Sequence, residues 1–271
     1  LVFVYGIACV MNHWHHQAKY FAETHQVILF DLRGHHKSRP VVSDKELTLK
    51  GIGKDMIALL DHLEIPKATF IGHSFGVPAI LEAHHMAPER FSRIVLINGF
   101  ARNPIEKMFG LNMVGPTFQF VKKSFKSSPE FWGAMWNELS YNQIAMYLAG
   151  ALGGFNLKLT AFKDIEIYAR GVAKIDLKVF ISLFDELMKF DGRKLAKEIK
   201  CPTLVIAGDK DQITPMSFQH ELQQAIKGSE FFTVPYGSHC SQLDFPEYIN
   251  LKIKDFLEPK KPKRGSKPAQ K

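Results

Sequence analysis

The stretch Ala68-Thr69-Phe70-Ile71-Gly72-His73-Ser74-Phe75-Gly76 runs a short apolar strand into Gly-x-Ser-x-Gly and then into helix-forming sequence. A serine at such a strand-to-helix turn sits on strained backbone, which pushes its Oγ out at the end of a sheet. Gly72 and Gly76 supply the room, and the N–H of Phe75, at the helix start, would point toward a developing oxyanion. Ala68 to Ile71 is β-compatible, and Val77 to Met86 reads as a helix with Pro78 confined to its first turn. The competing reading is a glycine-rich turn with a bystander serine. The rest of the chain decides between them.

Toward the N-terminus, Leu1 to Tyr5 is a continuous apolar run ending at Gly6, a strand buried on both faces. Ligands of open parallel sheets bind beyond the carboxyl ends of the strands, so the loop Gly6 to Asn12 is a candidate to supply a second oxyanion N–H, from Ile7. Trp14 to Glu23 has helical spacing, Gln26 to Asp31 reads as a second strand, and Asp31 to Ser38 as a polar turn. Ile52, Met56, Leu59, Leu60 and Leu63 form the stripe of an amphipathic helix over Thr48 to Leu63, which Pro66 closes. After the elbow helix, Arg93 to Asn98 is another strand. Strict alternation of strand and helix predicts a parallel sheet with right-handed crossovers and helices on both faces.

Between about Ala101 and Lys189 the alternation stops. Phe109, Met113, Phe118, Phe120, Phe131, Trp132, Met135, Trp136, Met146, Tyr147, Phe155 and Phe162 fall there in mostly helical patterns. This predicts a helical cap inserted at 101–189 over the strand ends, its large side chains partly core and partly the lining of an apolar pocket. Alternation resumes with a buried strand at Cys201 to Gly208, a helix from Ser217 to Ile226, a strand from Phe231 to Val234 and a last helix from Pro246 to Leu257. Residues 1–100 and 190–258 are thus expected to form an α/β core. The Pro- and Lys-rich segment 259–271 cannot bury apolar surface and is expected to be disordered.

Composition narrows the function classes. The formal net charge is +8, but Lys260, Lys261, Lys263, Arg264, Lys267 and Lys271 all lie in that final segment. The basic character therefore belongs to a tail, and the folded part shows no nucleic-acid motif. Tethering of the tail to anionic membrane or nucleic acid is the alternative to a solvated tail. Cys9, Cys201 and Cys240 are too few and scattered for a disulfide framework, which favours a reducing, cytoplasmic setting. No apolar run reaches the length of a membrane span, and no signal peptide is visible. The chain does open at Leu1 inside an apparent strand and without a methionine, so an upstream segment could have been removed.

A serine hydroxyl needs a base within hydrogen-bond reach, and the base needs a carboxylate to fix its tautomer. Asp211 follows one late strand and His239 the next, both at carboxyl ends, so both loops open on the edge that carries Ser74. Asp209 competes with Asp211 for the acid. Asp211 is preferred because it lies further past the strand end, while Asp209 follows Gly208 closely and could cap the turn. Among the twelve histidines, His13, His15 and His16 are closely spaced, and His13 and His16 could share a helix face. No carboxylate or cysteine completes a set at metal-ligand spacing, so no metal site is expected. His73 is read as structural, pointing away from Ser74.

With Gly72-His73-Ser74-Phe75-Gly76, the Gly208-Asp209-Lys210-Asp211 turn closed by Pro215, and Gly237-Ser238-His239, the chain resembles the α/β-hydrolase superfamily from Leu1 to about Leu257. The resemblance is to its helical-cap group, which includes esterases, carbon–carbon bond hydrolases and haloperoxidase-like enzymes. It implies Ser74 as nucleophile, Asp211 as acid and His239 as base; Asp31-Leu32-Arg33-Gly34-His35 resembles the family's turn after its next strand. Two departures stand out: Tyr5-Gly6 replaces the usual His-Gly, and a further upstream strand pair is missing. The function expected is a cofactor-independent serine hydrolase acting on a carboxylic ester, with the Phe75 and Ile7 N–H groups as oxyanion hole and a small to medium apolar substrate. Carbon–carbon bond hydrolysis or perhydrolysis by the same groups, and ligand binding without catalysis on a hydrolase scaffold, are the alternatives.

Overall fold

The computed structural model describes residues 1–39, 44–142 and 154–258. Met146, Tyr147 and the segment 259–271 lie outside these. Six strands form one sheet: Val2–Val4 (β1), Ile28–Leu29 (β2), Ala68–His73 (β3), Phe91–Ile97 (β4), Thr203–Gly208 (β5) and Glu230–Val234 (β6). Their order is β2-β1-β3-β4-β5-β6 and every pairing is parallel. β1, β3 and β5 are buried at every position, as their largely apolar sequences suit strands covered on both faces, with Thr69, His73 and Thr203 buried among them. Their carboxyl ends share one edge of the sheet, and the loops after β1, β3, β5 and β6 emerge there.

Helices on both faces bury a stripe each. Leu49–His62 is capped by Thr48, whose Oγ1 accepts the Gly51 N–H at 2.9 Å, and its Ile52, Met56 and Leu60 are fully buried. Leu63, placed on the same stripe by its spacing, falls just past the helix end and is 40% exposed. The second strand is shorter than Gln26 to Asp31. Only Ile28 and Leu29 pair, with Val2 and Phe3, because β1 is itself three residues long and offers this edge strand no further partner. The first helix is likewise shorter, His15–Phe21, with Met11–Trp14 wound as a 3₁₀ turn before it.

Between β4 and β5 the described chain is helical: Val114–Ser127, Pro129–Tyr141, Phe162–Ala173, Leu177–Lys189 and the short Arg193–Glu198. Phe118, Leu177 and Ile181 form their own small cluster, with Trp132, Trp136 and Phe184 packed against it. The large side chains divide as helical faces dictate. Met113, Phe120, Phe131 and Phe162 face solvent, whereas Trp136 and Phe155 border the cavity described next.

Candidate active site

β3 ends at His73 and the helix Gly76–Met86 begins two residues beyond Ser74, so the chain reverses within a single turn. Ser74 adopts a left-handed φ of +52°, a conformation that costs free energy for any residue with a Cβ. The Ser74 N–H donates to the Ile97 carbonyl at 3.1 Å and its carbonyl accepts from Val77 at 2.9 Å, which holds the turn against β4 and the helix. Glycine is required on both sides. A Cβ at Gly72 would lie 2.5 Å from Ile80 Cδ1, and one at Gly76 would collide with the Val4 carbonyl oxygen.

Ser74 Oγ lies 2.8 Å from His239 Nε2, and His239 Nδ1 lies 3.0 and 3.1 Å from the two Asp211 oxygens. All three residues are buried. A carboxylate can only accept, so Nδ1 carries the proton and Nε2 presents its lone pair to the serine hydroxyl. The carboxylate is itself pinned. Oδ1 accepts the Ile213 and Thr214 N–H groups at 2.9 and 2.8 Å, while Oδ2 lies 2.6 Å from the Thr214 hydroxyl and 3.3 Å from the Gln219 amide. Asp209 faces solvent beside Lys210 and does not reach the imidazole.

Ser74 and His239 border a cavity of about 460 Å³ roofed by Trp136, Phe155, Phe180 and Phe184. Ile7 and Phe75 also border it. Among the described residues, neither of their N–H groups is taken by a protein acceptor. The Gly6 to Asn12 loop is fastened from the Asp31 to Ser38 turn: the Ala8 N–H donates to His35 Nε2 at 3.1 Å, and His36 Nε2 donates to the Cys9 carbonyl at 2.8 Å. Tyr5, at the departure from His-Gly, accepts the Leu32 N–H at 2.9 Å and approaches Asp31 at 3.3 Å, tying the same two loops together. Among the described residues the walls are neutral. Burial pushes the Cys9 thiol up to about 12, raises the Tyr168 phenol well above its ordinary value and holds His73 well below 6.5.

His73 points back beneath the site, and its Nε2 donates to the His239 carbonyl at 2.7 Å, anchoring the main chain of the imidazole that faces Ser74. Three further residues support the site without belonging to any sequence motif. Asn98, at the end of β4 with φ +49°, donates to the Ser238 carbonyl at 2.5 Å and accepts the Gly208 N–H at 3.2 Å, joining the loops that carry Asp211 and His239. Its position in Asn98-Gly99 at a strand end was the available signal. Asp244 is buried and accepts from the Ser238 N–H and hydroxyl, both at 2.6 Å, and from Thr160 at 2.5 Å, which ties the His239 loop to segment 154–160. Nothing local marks it. Gln219 is placed by its helix and signalled by nothing in the motif.

Spatial grouping adds to the histidine reading: Asp164, 148 residues from His16 in sequence, lies against both His15 and His16, and the ligand atoms of the three fall within 4.8 Å of one another. Spacing along the chain cannot reveal a partner supplied by a distant helix. A second group, His13, His73 and Cys240, is wholly buried behind the site. There His13 is pushed down to about 3 by burial, and its Nε2 faces the Gln242 amide.

A family model for the α/β hydrolase fold matches residues 1–246, and the chain belongs to that family. Its class is therefore hydrolase. The chain is 27% identical to 3-oxoadipate enol-lactonase 2 of Acinetobacter baylyi, over 95% of this chain and 88% of the relative. It is 22% identical to the karrikin insensitive 2 receptor IA of Petunia hybrida, over 91% of this chain and 86% of that one. The solved bromoperoxidase from Bacillus anthracis shares the fold at a TM-score of 0.77 and 20% identity, over 95% of this chain and 91% of that chain. Among the described residues no helix is long and apolar enough to cross a membrane.

Proposed function

We propose that the chain hydrolyses carboxylic esters of small to medium apolar acyl groups through an acyl-enzyme on Ser74. The observation that carries this reading is the unbroken relay from Asp211 through His239 to Ser74 Oγ at the floor of an apolar cavity. His239 Nε2 takes the serine proton as Oγ attacks the acyl carbon; the oxyanion is met by the Phe75 and Ile7 N–H groups; the imidazolium then protonates the leaving alcohol. Water, deprotonated by the same nitrogen, attacks the acyl-enzyme and frees the acid. Asp211 holds the tautomer and stabilises the imidazolium.

Residues 101–189 act on this reading as a cap on a core built from 1–100 and 190–258. A volume of about 460 Å³ is at the smaller end of the range usual for small-molecule sites, which suits a small to medium acyl or aryl group. Among the described residues that border the cavity there is no Lys, Arg, Asp or Glu, so the bound group is uncharged.

The test is hydrolysis of chromogenic esters of increasing acyl length, with Ser74→Ala and His239→Ala alongside. Both variants are expected to fall by at least about 10³-fold, toward the residual catalysis that binding and the oxyanion site alone supply. Absence of turnover by the unaltered protein on every ester, together with failure of a fluorophosphonate to label Ser74, refutes the reading.

A further inference from the structure

We propose that His15, His16 and Asp164 form a binding site for a divalent cation of the zinc class, which fastens the helix Phe162–Ala173 to the helix His15–Phe21. The two histidines sit at the start of the latter helix, and Asp164 lies in the first turn of the former. His15 Nε2 is 3.2 Å from Asp164 Oδ1, His16 Nε2 is 2.9 Å from Oδ2, and the two imidazole rings lie 3.9 Å apart.

The hydrogen-bond pattern of this cluster calls for a positive charge, from a metal ion or a second ring proton. His15 Nδ1 is 2.8 Å from the Asn12 carbonyl oxygen, which can only accept, so the proton of a neutral ring is on Nδ1. Nε2 then turns a lone pair toward a carboxylate oxygen, acceptor against acceptor. A positive charge between them resolves the conflict, and a ring nitrogen oriented by a carbonyl bond on its other side is the usual arrangement of a metal-bound imidazole. Asp164 is only 5% exposed, and among the described residues its oxygens have no partner besides these two rings. An anion so far removed from water is costly unless a cation meets it.

Access and ligand type point the same way. The imidazoles are 35% and 33% exposed and open on a cleft bordered by Glu23 and Glu247 and also by Lys19 and Lys163, so an ion can enter and keep water in its remaining positions. Two imidazoles with one carboxylate suit zinc, nickel or cobalt rather than calcium or magnesium. Donor atoms 2.9–3.2 Å apart can both lie about 2.1 Å from one ion, the usual metal–nitrogen distance. The same helix brings Ile165, Tyr168 and Ala169 to the Ser74 cavity, so an ion here would fix one wall of that cavity without entering it.

The test is calorimetric titration of Zn²⁺ into chelator-stripped protein, with His15→Ala/His16→Ala, the isosteric Asp164→Asn, and His85→Ala as a surface-histidine control. One equivalent is expected to bind, with affinity at least about tenfold weaker in the first two variants and unchanged in the third. Zn²⁺ at a hundred times Kd should raise the melting temperature by about 5 °C, and not in the double variant. Equal affinity in the unaltered protein and the double variant overturns the site. So does a melting temperature that Zn²⁺ leaves unchanged in the unaltered protein.

Discussion

Replacing Asp211 by asparagine changes one atom of a side chain whose every partner is known. Oδ1 is held by two backbone N–H groups that cannot turn away, so the amide oxygen of an asparagine must take that place and its NH₂ must face His239. The Thr214 hydroxyl, 2.6 Å from Oδ2 and 2.9 Å from the Asn98 carbonyl, adapts by donating to the carbonyl and accepting from the amide. The Gln219 amide loses a weak bond at 3.3 Å and keeps its bond to the Thr214 carbonyl at 2.8 Å. The imidazole is divided between the two ends of the amide: Nδ1 lies 3.1 Å from the oxygen position and 3.0 Å from the new NH₂. A donor that close favours the tautomer that accepts at Nδ1, which moves the proton to Nε2 and takes the base from Ser74.

The stability cost is that of one or two impaired buried bonds, about 1–3 kcal/mol, so the variant should fold. The kinetic cost should be far larger, about 10⁴ in kcat, or about 5 kcal/mol of barrier. Both are read on one preparation: urea unfolding for stability, and ester hydrolysis with fluorophosphonate labelling for reactivity. Asp209→Asn, altering a solvent-facing carboxylate, should leave the rate within about threefold. An Asp211→Asn protein that keeps more than a tenth of the activity, or an Asp209→Asn protein that loses it, refutes the assignment of the acid.

Gly72→Ala should cost about 1–3 kcal/mol in urea unfolding because the new Cβ meets Ile80 Cδ1, and Ile80→Val, which removes that atom, should recover part of the loss. Additive losses in the double variant would place the strain elsewhere. Asp244→Asn sets an NH₂ against two of four donors, so stability should fall by about 1–3 kcal/mol and ester hydrolysis with it; an unchanged rate would show that the Ser238 anchor does not position His239. Acid should destabilise the fold before the carboxylates titrate. Burial lowers His13 from 6.5 to about 3 and His35 from 6.5 to about 4, so above pH 6.5 neither state binds their protons and below it the unfolded chain binds them first. By pH 5 each group has favoured the unfolded chain by about 2 kcal/mol, and a urea midpoint flat from pH 7 to pH 5 would contradict their burial as neutral rings.

What could be read from the sequence was what is periodic or local. Largely apolar runs gave β1, β3 and β5 their buried places, and the alternation of strand and helix pointed to a parallel sheet. A parallel sheet brings all carboxyl ends to one edge, so Ser74, Asp211 and His239 could be expected together although 165 residues separate the first from the last. Groups that depend on one segment meeting another could not be read. Asp164 reaches His15 and His16 from a helix between β4 and β5, Asp244 joins two loops from a helical turn of four residues, and Asn98 braces two more from a strand end. Each is a through-space partner with no partner at a fixed spacing. Leu63 errs by a single residue, since a hydrophobic stripe does not say where its helix stops.

The neutrality of the cavity ties the proposed chemistry to its substrate. Before reaction, among the described residues that border the cavity or form the relay, the formal charge is that of Asp211, sealed from water by its own hydrogen bonds. In the transition state of the proposed reaction two charges would appear at once, an oxyanion near the Phe75 and Ile7 N–H groups and an imidazolium against Asp211. In a site emptied of water, fixed dipoles already aimed at those positions act with little reorganisation, so stabilisation falls on the transition state rather than on the bound ester. A carboxylate on the acyl chain would have to leave water for walls formed by Trp136, Phe155, Phe180 and Phe184, with no cation among the described residues to receive it. Neutral acyl esters should therefore be preferred to their ω-carboxylate counterparts through KM more than through kcat, because that penalty falls equally on the ground state and the transition state.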